Sequence, residues 1–425
     1  MLPEYKTSVK KVDNEEKMAG KAIYTNDIQV DGVLTAVSVR STISKGKILK
    51  IHLPTLPDGY YFISAKDIVK ENVCNIIFSD WPIFADGNVN YYGETVGLIV
   101  GEDKKTCLDL LEQVQIDYKE ETPVFDMVNS YIHKEFTKGN PDLFKTAKKV
   151  YSESFYTGYQ EQAYLETQSM LVYFENEKIV VKASMQCPFY IQKAISRVTG
   201  YPGTRIRVIQ PAVGGAFGGK EHYPSLMGGQ LATALLKIKK PIKMVFDRKE
   251  DIMFTTKRHP SKTDISAYLD DKNNIIGMNI HVNLDAGAYK GCSGVVLARA
   301  LIACTNAYTF DNLIVNGDAY ETNKVPSAAF RGFGSPQSIF AIEMFMHHLA
   351  DFLHVPALEL RNKYMVKTGD ITSTNGVFRD PIILDQLRDK AMEMSDYQNK
   401  VKLYSKPGLN KGIGMSWFLH GCGFT

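Results

Sequence analysis

The sequence predicts an α+β fold that is divided into at least two domains. Its 425 residues exceed the roughly 250–300 residues over which a single hydrophobic core usually extends. Residues 21 to 125 alternate short β-rich runs with one helical stretch, whereas later segments combine paired strands with a long amphipathic helix. With 44% hydrophobic and 23% charged residues, the composition is ordinary for a globular protein, so we expect these regions to fold.

The N-terminal region, residues 21 to 125, is predicted to form one compact α/β domain. Its β-rich runs are VLTAVSV, YYFISA, TVGLIV and QVQIDY, and its helical stretch lies near residues 104 to 112. Turn signals such as PDG and ADGN separate these elements. Residues 119 to 146 are charged and rich in turn formers, which is typical of a linker to the next domain.

The region after this linker is predicted to contain two β-hairpins and a long helix. MLVYFENEKIVVKAS places two apolar runs around ENEK, and residues 271 to 274 supply the turn of a second hairpin in LDDKNNIIGMNIHV. The helix begins at SPQ, with Ser335 as its N-cap and Pro336 close behind it. Its apolar face is formed by Ile339, Ile342, Phe345, Met346 and Leu349.

Charge and cysteine usage exclude several classes of protein. The net charge of +3 comes from 50 basic and 47 acidic side chains that are mixed along the chain, so we expect no nucleic-acid partner. The first 20 residues contain no apolar signal core, and no window approaches about 18 uninterrupted apolar residues, so we expect a cytoplasmic protein outside the membrane. The six cysteines lack metal-ligand spacing, which predicts buried free thiols and no direct metal ligand.

A glycine-rich loop, VGGAFGGKE, extends from residue 213 to 221. It follows the segment YPGTRIRVIQ, which ends in a predicted strand, and it precedes a predicted helix at residues 224 to 237. Such a loop can hold a phosphate with its backbone amides, or it can simply be a tight connection that requires glycine for its geometry. Glu221 stands where a nucleotide triphosphatase needs Ser or Thr, and Ala216 breaks the dinucleotide pattern GxGxxG. Both common nucleotide-binding motifs are therefore disfavoured.

Three polar residues lie in apolar or glycine-rich surroundings. Arg331 lies in AFRGFG, where an arginine has an anionic or planar partner or makes a structural salt bridge. Arg299 lies in VVLARALIA, so it must be paired or face a polar cavity. Gln186 follows a strand in ASMQCPF and can both donate and accept hydrogen bonds, although an exposed glutamine is the default interpretation.

Together, GGAFGGKE, RHP at residues 258 to 260, AFRGFG with PQ, and YLETQ at residues 164 to 168 resemble the molybdenum-binding chain of the xanthine oxidase family of molybdenum hydroxylases. AGKAIYTNDI also resembles the start of that family's small α/β-hammerhead domain. The resemblance implies a hammerhead domain over residues 15 to 125 and the first molybdopterin-binding region over residues 135 to 375. In one departure, Gln162 stands where the family usually has histidine, so any local role of that histidine is in question here.

The resemblance also implies the residues of the site. A molybdopterin dinucleotide, expected to be the cytosine form with a terminal sulfido or selenido ligand on molybdenum, would be held by Gln186, Phe217, Gly218 and the backbone at Arg331. The substrate would face Glu221, Arg299, Phe333 and Phe424.

Residues 376 to 425 resemble the start of the family's second molybdopterin-binding region, but the VGEPP-like stretch with the family's catalytic glutamate does not occur in the sequence. The resemblance therefore implies that a second molybdopterin subunit completes this region and supplies the general base, so that no catalytic residue is assigned in this chain. It further implies an iron–sulfur subunit with [2Fe-2S] centres and an FAD subunit, with NADP as electron acceptor. A molybdenum chain divided at this point is similar to that of bacterial nicotinate dehydrogenases.

The expected reaction is hydroxylation of an N-heteroaromatic ring carbon with oxygen from water, with nicotinate converted to 6-hydroxynicotinate. The pair of Glu221 and Arg299 favours such a ring, because aldehyde-oxidising relatives generally lack an acid–arginine pair. Two alternatives remain at this point. The chain could belong to a xanthine or other purine dehydrogenase, or it could be a non-catalytic binding protein that retains the fold.

Overall fold

A computed structural model describes residues 9–74 and 76–421. The described residues contain ten α-helices and fifteen strands, which form sheets of seven, five and three strands. The helices are α1 (Asn14–Met18), α2 (Lys104–Leu111), α3 (Pro188–Thr199), α4 (Tyr223–Ile238), α5 (Arg248–Phe254), α6 (Ser293–Ile302), α7 (Ser335–Leu353), α8 (Ala357–Tyr364), α9 (Leu384–Ser395) and α10 (Tyr397–Tyr404). The strands are β1 (Leu34–Arg40), β2 (Gly46–His52), β3 (Tyr61–Ser64), β4 (Asn88–Val89), β5 (Thr95–Gly101), β6 (Gln115–Glu120), β7 (Asn129–Lys138), β8 (Lys149–Thr157), β9 (Ser169–Glu175), β10 (Lys178–Ala183), β11 (Ile206–Ile209), β12 (Ile242–Val245), β13 (Ser261–Leu269), β14 (Ile275–Gly287) and β15 (Leu313–Glu321).

The seven-stranded sheet has the order β11-β10-β9-β12-β1-β5-β3. Every residue of β5 is buried, which explains its uninterrupted apolar sequence. β1 pairs antiparallel with β5 and parallel with β12, so the N-terminal region and the region after it share one sheet. Helices α3 and α4 pack against each other beside this sheet, where a Cβ on Gly228 would lie 2.9 Å from Ile191. The glycine loop leads into α4 and is therefore attached to the first hydrophobic core.

The five-stranded sheet has the order β7-β15-β14-β13-β8 and supports the second hydrophobic core. Buried and half-buried residues alternate strictly along β13, as expected for a strand with one face on the core. Helix α6 packs on β14 and β15, and α7 packs on β8 and β13. This layer brings Arg299 on α6 and the AFRGFG turn before α7 to the same side of the sheet.

Several predicted elements are confirmed. Helix α2 begins after Asp103, whose carboxylate accepts a hydrogen bond from the Thr106 amide at 2.7 Å. β9 and β10 form the first predicted hairpin, and β13 and β14 form the second. The predicted strand before the glycine loop and the predicted helix after it are β11 and α4.

The prediction that Ser335 is the N-cap of the long helix is wrong. Ser335 is the first residue of α7, Gly334 precedes it with a φ of 95°, and no side-chain hydrogen bond caps the helix. A Cβ on Gly334 would lie 2.4 Å from the carbonyl oxygen of Val296 on α6. The close approach of α6 therefore requires glycine at the position where a capping side chain would otherwise be favoured.

The linker predicted over residues 119 to 146 is only partly present. Residues 121 to 128 contain no helix or strand, but β7 occupies Asn129–Lys138 and pairs along its whole length with β15. β7 is an edge strand with mostly exposed side chains, and this explains a polar composition that is otherwise typical of a linker.

The predicted state of the thiols is largely confirmed. Four of the five cysteines in the described part of the chain are buried, Cys187 is half-buried, and all five are free. Cys422 lies outside the described residues. Among the helices that the structure describes, none is long and apolar enough to span a membrane.

Candidate cofactor and substrate site

The glycine loop has a backbone that ordinary residues rarely adopt. Gly215 and Gly218 have φ angles of 95° and 100°, and Phe217 between them has a φ of 52°. A Cβ on Gly218 would lie 2.6 Å from the carbonyl oxygen of Ala329, closer than any side chain tolerates. The glycine at this position is therefore required both by its backbone angle and by the contact with residues 328 to 333.

Gln186 holds this loop in place. Its Oε1 accepts hydrogen bonds from the amides of Gly218 and Lys220 at 2.9 and 3.3 Å, and its own amide donates to the Lys220 carbonyl at 2.8 Å. The side chain is nevertheless largely exposed. Because Oε1 is committed to the loop, the two Nε2 hydrogens remain for a ligand on the open side.

The YLETQ segment supports the loop through hydrogen bonds and one buried ion pair. The Glu166 carboxylate accepts hydrogen bonds from the Gly214 amide at 2.8 Å and from the Ser184 hydroxyl at 2.6 Å, and it pairs with the Lys220 ammonium at 3.3 Å. Lys220 is fully buried, and its Nζ lies 4.5 Å from the centre of the Tyr164 ring. Burial lowers the pKa of Lys220 below its ordinary value. This lysine stabilises the loop from inside the protein, which is a further reason that the segment is not a nucleoside triphosphate site.

A second set of hydrogen bonds continues from the same segment. The Tyr164 hydroxyl donates to Asp251 at 2.6 Å, and the Gln168 amide donates to the same carboxylate at 2.8 Å. The Gln168 side chain then donates to the Gly219 carbonyl at 2.8 Å. These groups are buried, so each hydrogen bond that the loop receives replaces one that water would have made.

The AFRGFG turn lies directly against the glycine loop. The Arg331 amide donates to the Phe217 carbonyl at 2.9 Å, and the Arg331 carbonyl accepts from Arg258 of the RHP segment at 2.9 Å. Arg258 also lies 3.9 Å from the centre of the Phe330 ring. Both backbone groups of Arg331 are thus occupied, whereas its side chain is exposed beside the loop.

Glu221 lies at the start of α4 in partly buried surroundings. Its carboxylate is 3.5 Å from the Nε2 of His222. Burial, and after it the negative charge of Glu221, raises the pKa of the Cys187 and Cys292 thiols. Burial raises the pKa of Glu221 above its ordinary value and lowers the pKa of His222 to about 4. His222 is therefore neutral at pH 7, and Glu221 is easier to protonate than a carboxyl group in water.

Arg299 lies on α6, where its side chain is only 8% exposed. It lines a cavity of about 220 Å³ together with Asn306, Ser335, His420 and other residues of the same region. Glu221 is not among the residues that line this cavity. Phe333 belongs to the AFRGFG turn, has a φ of 47° and packs against the second core.

Comparisons with known proteins match this arrangement to two family profiles. The profile described as "Molybdopterin cofactor-binding domain" matches residues 124–365, which is more than half of the chain. The profile described as "Aldehyde oxidase and xanthine dehydrogenase, a/b hammerhead domain" matches residues 19–122. The chain belongs to the xanthine oxidase family. The predicted order of a hammerhead domain and a molybdopterin-binding region is thereby confirmed.

Individual family members match over different shares of their length. Xanthine dehydrogenase from Drosophila subobscura is 31% identical over 376 residues, which cover 85% of this chain and 28% of that protein. The nicotinate dehydrogenase large molybdopterin subunit from Eubacterium barkeri is 28% identical over 418 residues, covering 91% of this chain and 96% of that subunit. The chain spans less than a third of the length of the xanthine dehydrogenases that it matches.

Solved structures of the family share the fold. Aldehyde oxidoreductase from Desulfovibrio desulfuricans superposes with a TM-score of 0.85 at 21% identity, covering 94% of this chain and 48% of that one. Quinoline 2-oxidoreductase from Pseudomonas putida superposes with a TM-score of 0.82 at 20% identity, covering 94% and 56%. Both likenesses extend over the hammerhead and molybdopterin-binding regions together.

The residues present fit the family's cofactor. The amides of Gly215, Ala216 and Phe217 make no hydrogen bond within the described part of the chain, which leaves three successive donors for an anionic group. A cofactor that carries phosphate groups provides acceptors of the kind that these three amides lack.

The departure from the family's histidine also has a structural explanation. The Gln162 side chain donates to the Ala329 carbonyl at 3.1 Å, so it ties the YLETQ segment to the AFRGFG turn. Gln160 beside it accepts from Arg258 at 2.6 Å. Glutamine therefore supports the turn in this chain.

The structure brings four of the predicted residues together, namely Gln186, Phe217, Gly218 and Arg331. Phe333 lies at the other end of the same turn. Arg299 lies next to that end, because the adjacent Gly334 packs directly on α6, the helix that carries Arg299. Phe424 lies outside the described residues. Sequence reasoning missed the supporting roles of Arg258, Gln162 and Asp251. The RHP and YLETQ motifs were the only sequence signals for these roles, and neither motif indicates which residues it contacts in the folded chain.

Proposed function

We propose that this chain holds a molybdopterin dinucleotide and forms one side of the substrate pocket in a hydroxylase for N-heteroaromatic rings. Two observations carry the proposal: the glycine loop contacts the AFRGFG turn, and the amides of residues 215 to 217 have no hydrogen-bond partner among the described residues. When bound, the cofactor supplies the redox chemistry by which a ring carbon is hydroxylated with oxygen from water. Membership of the xanthine oxidase family supports this assignment.

Within this proposal, the chain's own residues bind the cofactor and orient it. Phe217 and Gly218 set the loop's backbone. Because both backbone groups of Arg331 are already hydrogen-bonded within the protein, its exposed side chain, and not the backbone assigned from the sequence, is proposed to meet a phosphate. Gln186 is fixed through Oε1, so its Nε2 can donate to an oxygen ligand of the metal without first being ordered. Preorganised donors of this kind stabilise negative charge at no further cost in reorganisation.

The substrate side of the proposal rests on Arg299 and Glu221. Arg299 lines a cavity of about 220 Å³, and an arginine suits a small planar anion because its guanidinium can form paired hydrogen bonds with a carboxylate. Glu221, with its raised pKa, can carry a proton and donate to a ring nitrogen, or it can accept from a ring N–H. Nicotinate has both a carboxylate and a ring nitrogen, and the similarity to the nicotinate dehydrogenase subunit over 96% of its length supports this substrate.

A second candidate is the oxidation of xanthine or another purine. The 31% identity to a xanthine dehydrogenase favours it, and Glu221 could equally meet a purine nitrogen. Substrate-dependent dye reduction by the purified complex, with nicotinate and xanthine compared at equal concentration, separates the two. A non-catalytic protein with this fold would contain no molybdenum, so metal analysis of the same sample tests that alternative.

The general base is proposed to come from a second molybdopterin subunit. Among the described residues that line the Arg299 cavity, none carries a carboxylate. Iron–sulfur and FAD subunits are proposed for electron transfer to NADP, since the cysteines described here are free and mostly buried. We expect this chain alone to show no turnover and the native complex to be active. Elemental analysis for Mo, Fe and Se tests the cofactors, including the choice of sulfido or selenido ligand.

Replacing Arg299 with Met should reduce kcat/KM for nicotinate by at least about tenfold, or 1.4 kcal/mol of transition-state stabilisation. The side chain keeps its approximate length, but a residue that lines the cavity loses its positive charge. Arg379→Met, an exposed position, serves as the control and should leave kcat/KM unchanged. Unchanged kinetics for Arg299→Met in a complex of normal molybdenum content would remove Arg299 from substrate binding.

A further inference from the structure

The cavity that Arg299 lines is rich in groups that can donate a hydrogen bond. Its other polar lining residues are Thr305, Asn306, Tyr308, Ser335, Thr372, Ser373, Thr374 and His420. None of the described residues that line it is Asp or Glu. Its volume of about 220 Å³ is below the roughly 300–1,000 Å³ of pockets that enclose drug-sized ligands, so it suits a small group at the end of a larger molecule.

Two hydroxyl groups of this lining are buried and uncommitted. Thr305 is 5% exposed and Ser335 is 4% exposed. Neither hydroxyl makes a hydrogen bond with another residue in the part of the chain that the structure describes. Because buried hydroxyl groups normally have a hydrogen-bond partner, these two are available to a ligand in the cavity.

Ser335 also lies at the amino end of a long helix. It is the first residue of α7, which is 19 residues long, and no side-chain hydrogen bond caps this end. The amino end of a helix carries partial positive charge and favours a nearby anion. The orientation of α7 therefore adds to the preference that the hydroxyl groups create.

The carboxyl end of α6 borders the same cavity, but carbonyl groups of its last turn are already hydrogen-bonded. The Ala300 carbonyl accepts from the Ser338 hydroxyl at 2.8 Å. The Ile302 carbonyl accepts from the Ser373 hydroxyl at 3.3 Å. These donors reduce the repulsion that the end of α6 would otherwise exert on an anion.

The charges near the cavity leave Arg299 as the permanent charge of the described lining. Glu343 accepts a hydrogen bond from Asn306 of the lining at 3.0 Å, but it is paired with Arg361 at 3.2 Å. Arginine stays protonated, even in largely buried surroundings. A group that enters this cavity therefore meets a cation whose neighbouring carboxylate is already neutralised.

A further set of charges lies behind residues 372 to 374. The Lys138 ammonium donates to the Ile371 carbonyl at 2.9 Å. Burial lowers the pKa of Lys138, whereas Asp311 and Asp370 oppose that shift. None of these charged residues lines the cavity.

We propose that the hydroxyl groups of Ser335 and Thr305, together with Arg299 and the amino end of α7, bind the carboxylate of the substrate. These two hydroxyl groups then select a ring that bears a carboxylate over a neutral ring such as a purine. A hydroxyl donates to one carboxylate oxygen, and hydrogen bonds to a charged acceptor are stronger than those to a neutral one. The identity of the substrate rests on the proposed function, but the anion site itself does not.

The test compares the binding of benzoate and benzamide to the native complex by isothermal titration calorimetry. The two probes share one ring and differ in charge, and neither is an N-heteroaromatic ring, so binding is measured without the proposed turnover. We expect benzoate to bind at least about tenfold more tightly than benzamide. Ser335→Ala and Thr305→Val should each weaken benzoate binding by about tenfold, because each removes one hydrogen bond to a charged group.

Two further variants serve as controls. Thr305→Ser keeps the hydroxyl and should bind benzoate like the unaltered complex. Ser373→Ala removes a hydroxyl from the same cavity, but that hydroxyl already donates to the Ile302 carbonyl, so the affinity for benzoate should not change. Circular dichroism and molybdenum content show whether each variant is folded and loaded.

Equal affinities of the unaltered complex for benzoate and benzamide would overturn the anion site, and this comparison does not depend on the folding of any variant. Unchanged benzoate affinity in both Ser335→Ala and Thr305→Val would overturn it as well. Dye reduction with nicotinate on the same samples separates this inference from the proposed function. Selective benzoate binding that the two variants lose, without nicotinate turnover, rejects the proposed substrate and retains the anion site. Nicotinate turnover with the same KM in all variants rejects the anion site alone.

Discussion

Replacing Glu166 with Gln is expected to lower the free energy of unfolding by about 3–5 kcal/mol, because it leaves the buried ammonium of Lys220 without a counter-ion. The substitution keeps the shape of the side chain, so the cost arises from charge and not from a cavity. The same carboxylate also holds the Gly214 amide and the Ser184 hydroxyl, and we therefore expect the glycine loop to loosen before the chain unfolds globally. Urea denaturation followed by tryptophan fluorescence measures the change.

Two controls isolate the charge effect. The pair of Lys145 and Asp142 is 2.7 Å apart but largely exposed, so Asp142→Asn should change stability little. The double variant Glu166→Gln with Lys220→Met removes both charges and should recover part of the stability lost in the single variant. If Glu166→Gln is as stable as the original chain, the assignment of Glu166 and Lys220 as the support of the loop is incorrect.

Replacing Gly218 with Ala should abolish cofactor loading, with molybdenum per chain falling by at least about tenfold, which corresponds to 1.4 kcal/mol or more. The new Cβ would meet the Ala329 carbonyl at 2.6 Å, and the backbone angle of 100° is also unfavourable for alanine. The Ala329 carbonyl is a backbone group and the position of the new Cβ is fixed by the backbone of residue 218, so the loop and the AFRGFG turn must move apart. Inductively coupled plasma mass spectrometry of the purified complex gives the molybdenum content.

Gly59→Ala separates backbone strain from the clash. Gly59 has a φ of 84°, but nothing lies within 4 Å of its Cβ position. This variant should therefore show the cost of the backbone angle alone and retain its molybdenum. Normal loading of the Gly218→Ala variant would show that the loop does not need this contact to hold the cofactor.

Local features of the sequence were sufficient to predict much of the fold. The hairpins formed by β9 with β10 and by β13 with β14 follow from strand-forming runs on either side of short polar turns. The helical stretch near residues 104 to 112 and the helix over residues 224 to 237 were both predicted, and they correspond to α2 and α4. The cap of α7 was predicted incorrectly because the position before Ser335 is determined by the close packing of Gly334 on α6. That helix begins more than 40 residues earlier in the sequence.

The supporting residues of the site could not be predicted in the same way. Lys220 has the spacing of a phosphate-binding lysine, yet it turns inward to Glu166, which precedes it by 54 residues. Nothing in the neighbourhood of Lys220 identifies that carboxylate as its partner. Gln162 and Arg258 likewise bond to the AFRGFG turn across separations of 167 and 73 residues.

The sequence by itself determined the two hairpins, the helices α2, α4 and α7, the need for glycine at the loop, and the motifs that place the chain in its family. These follow from short-range rules, since side-chain shape and backbone preference act within a few residues. Only the tertiary structure decided that β1 joins β12 in a shared sheet and that Lys220 is a buried support. It also placed Arg299 in a cavity of its own. Burial and hydrogen bonding between distant segments depend on how the whole chain packs, and no local pattern records that packing.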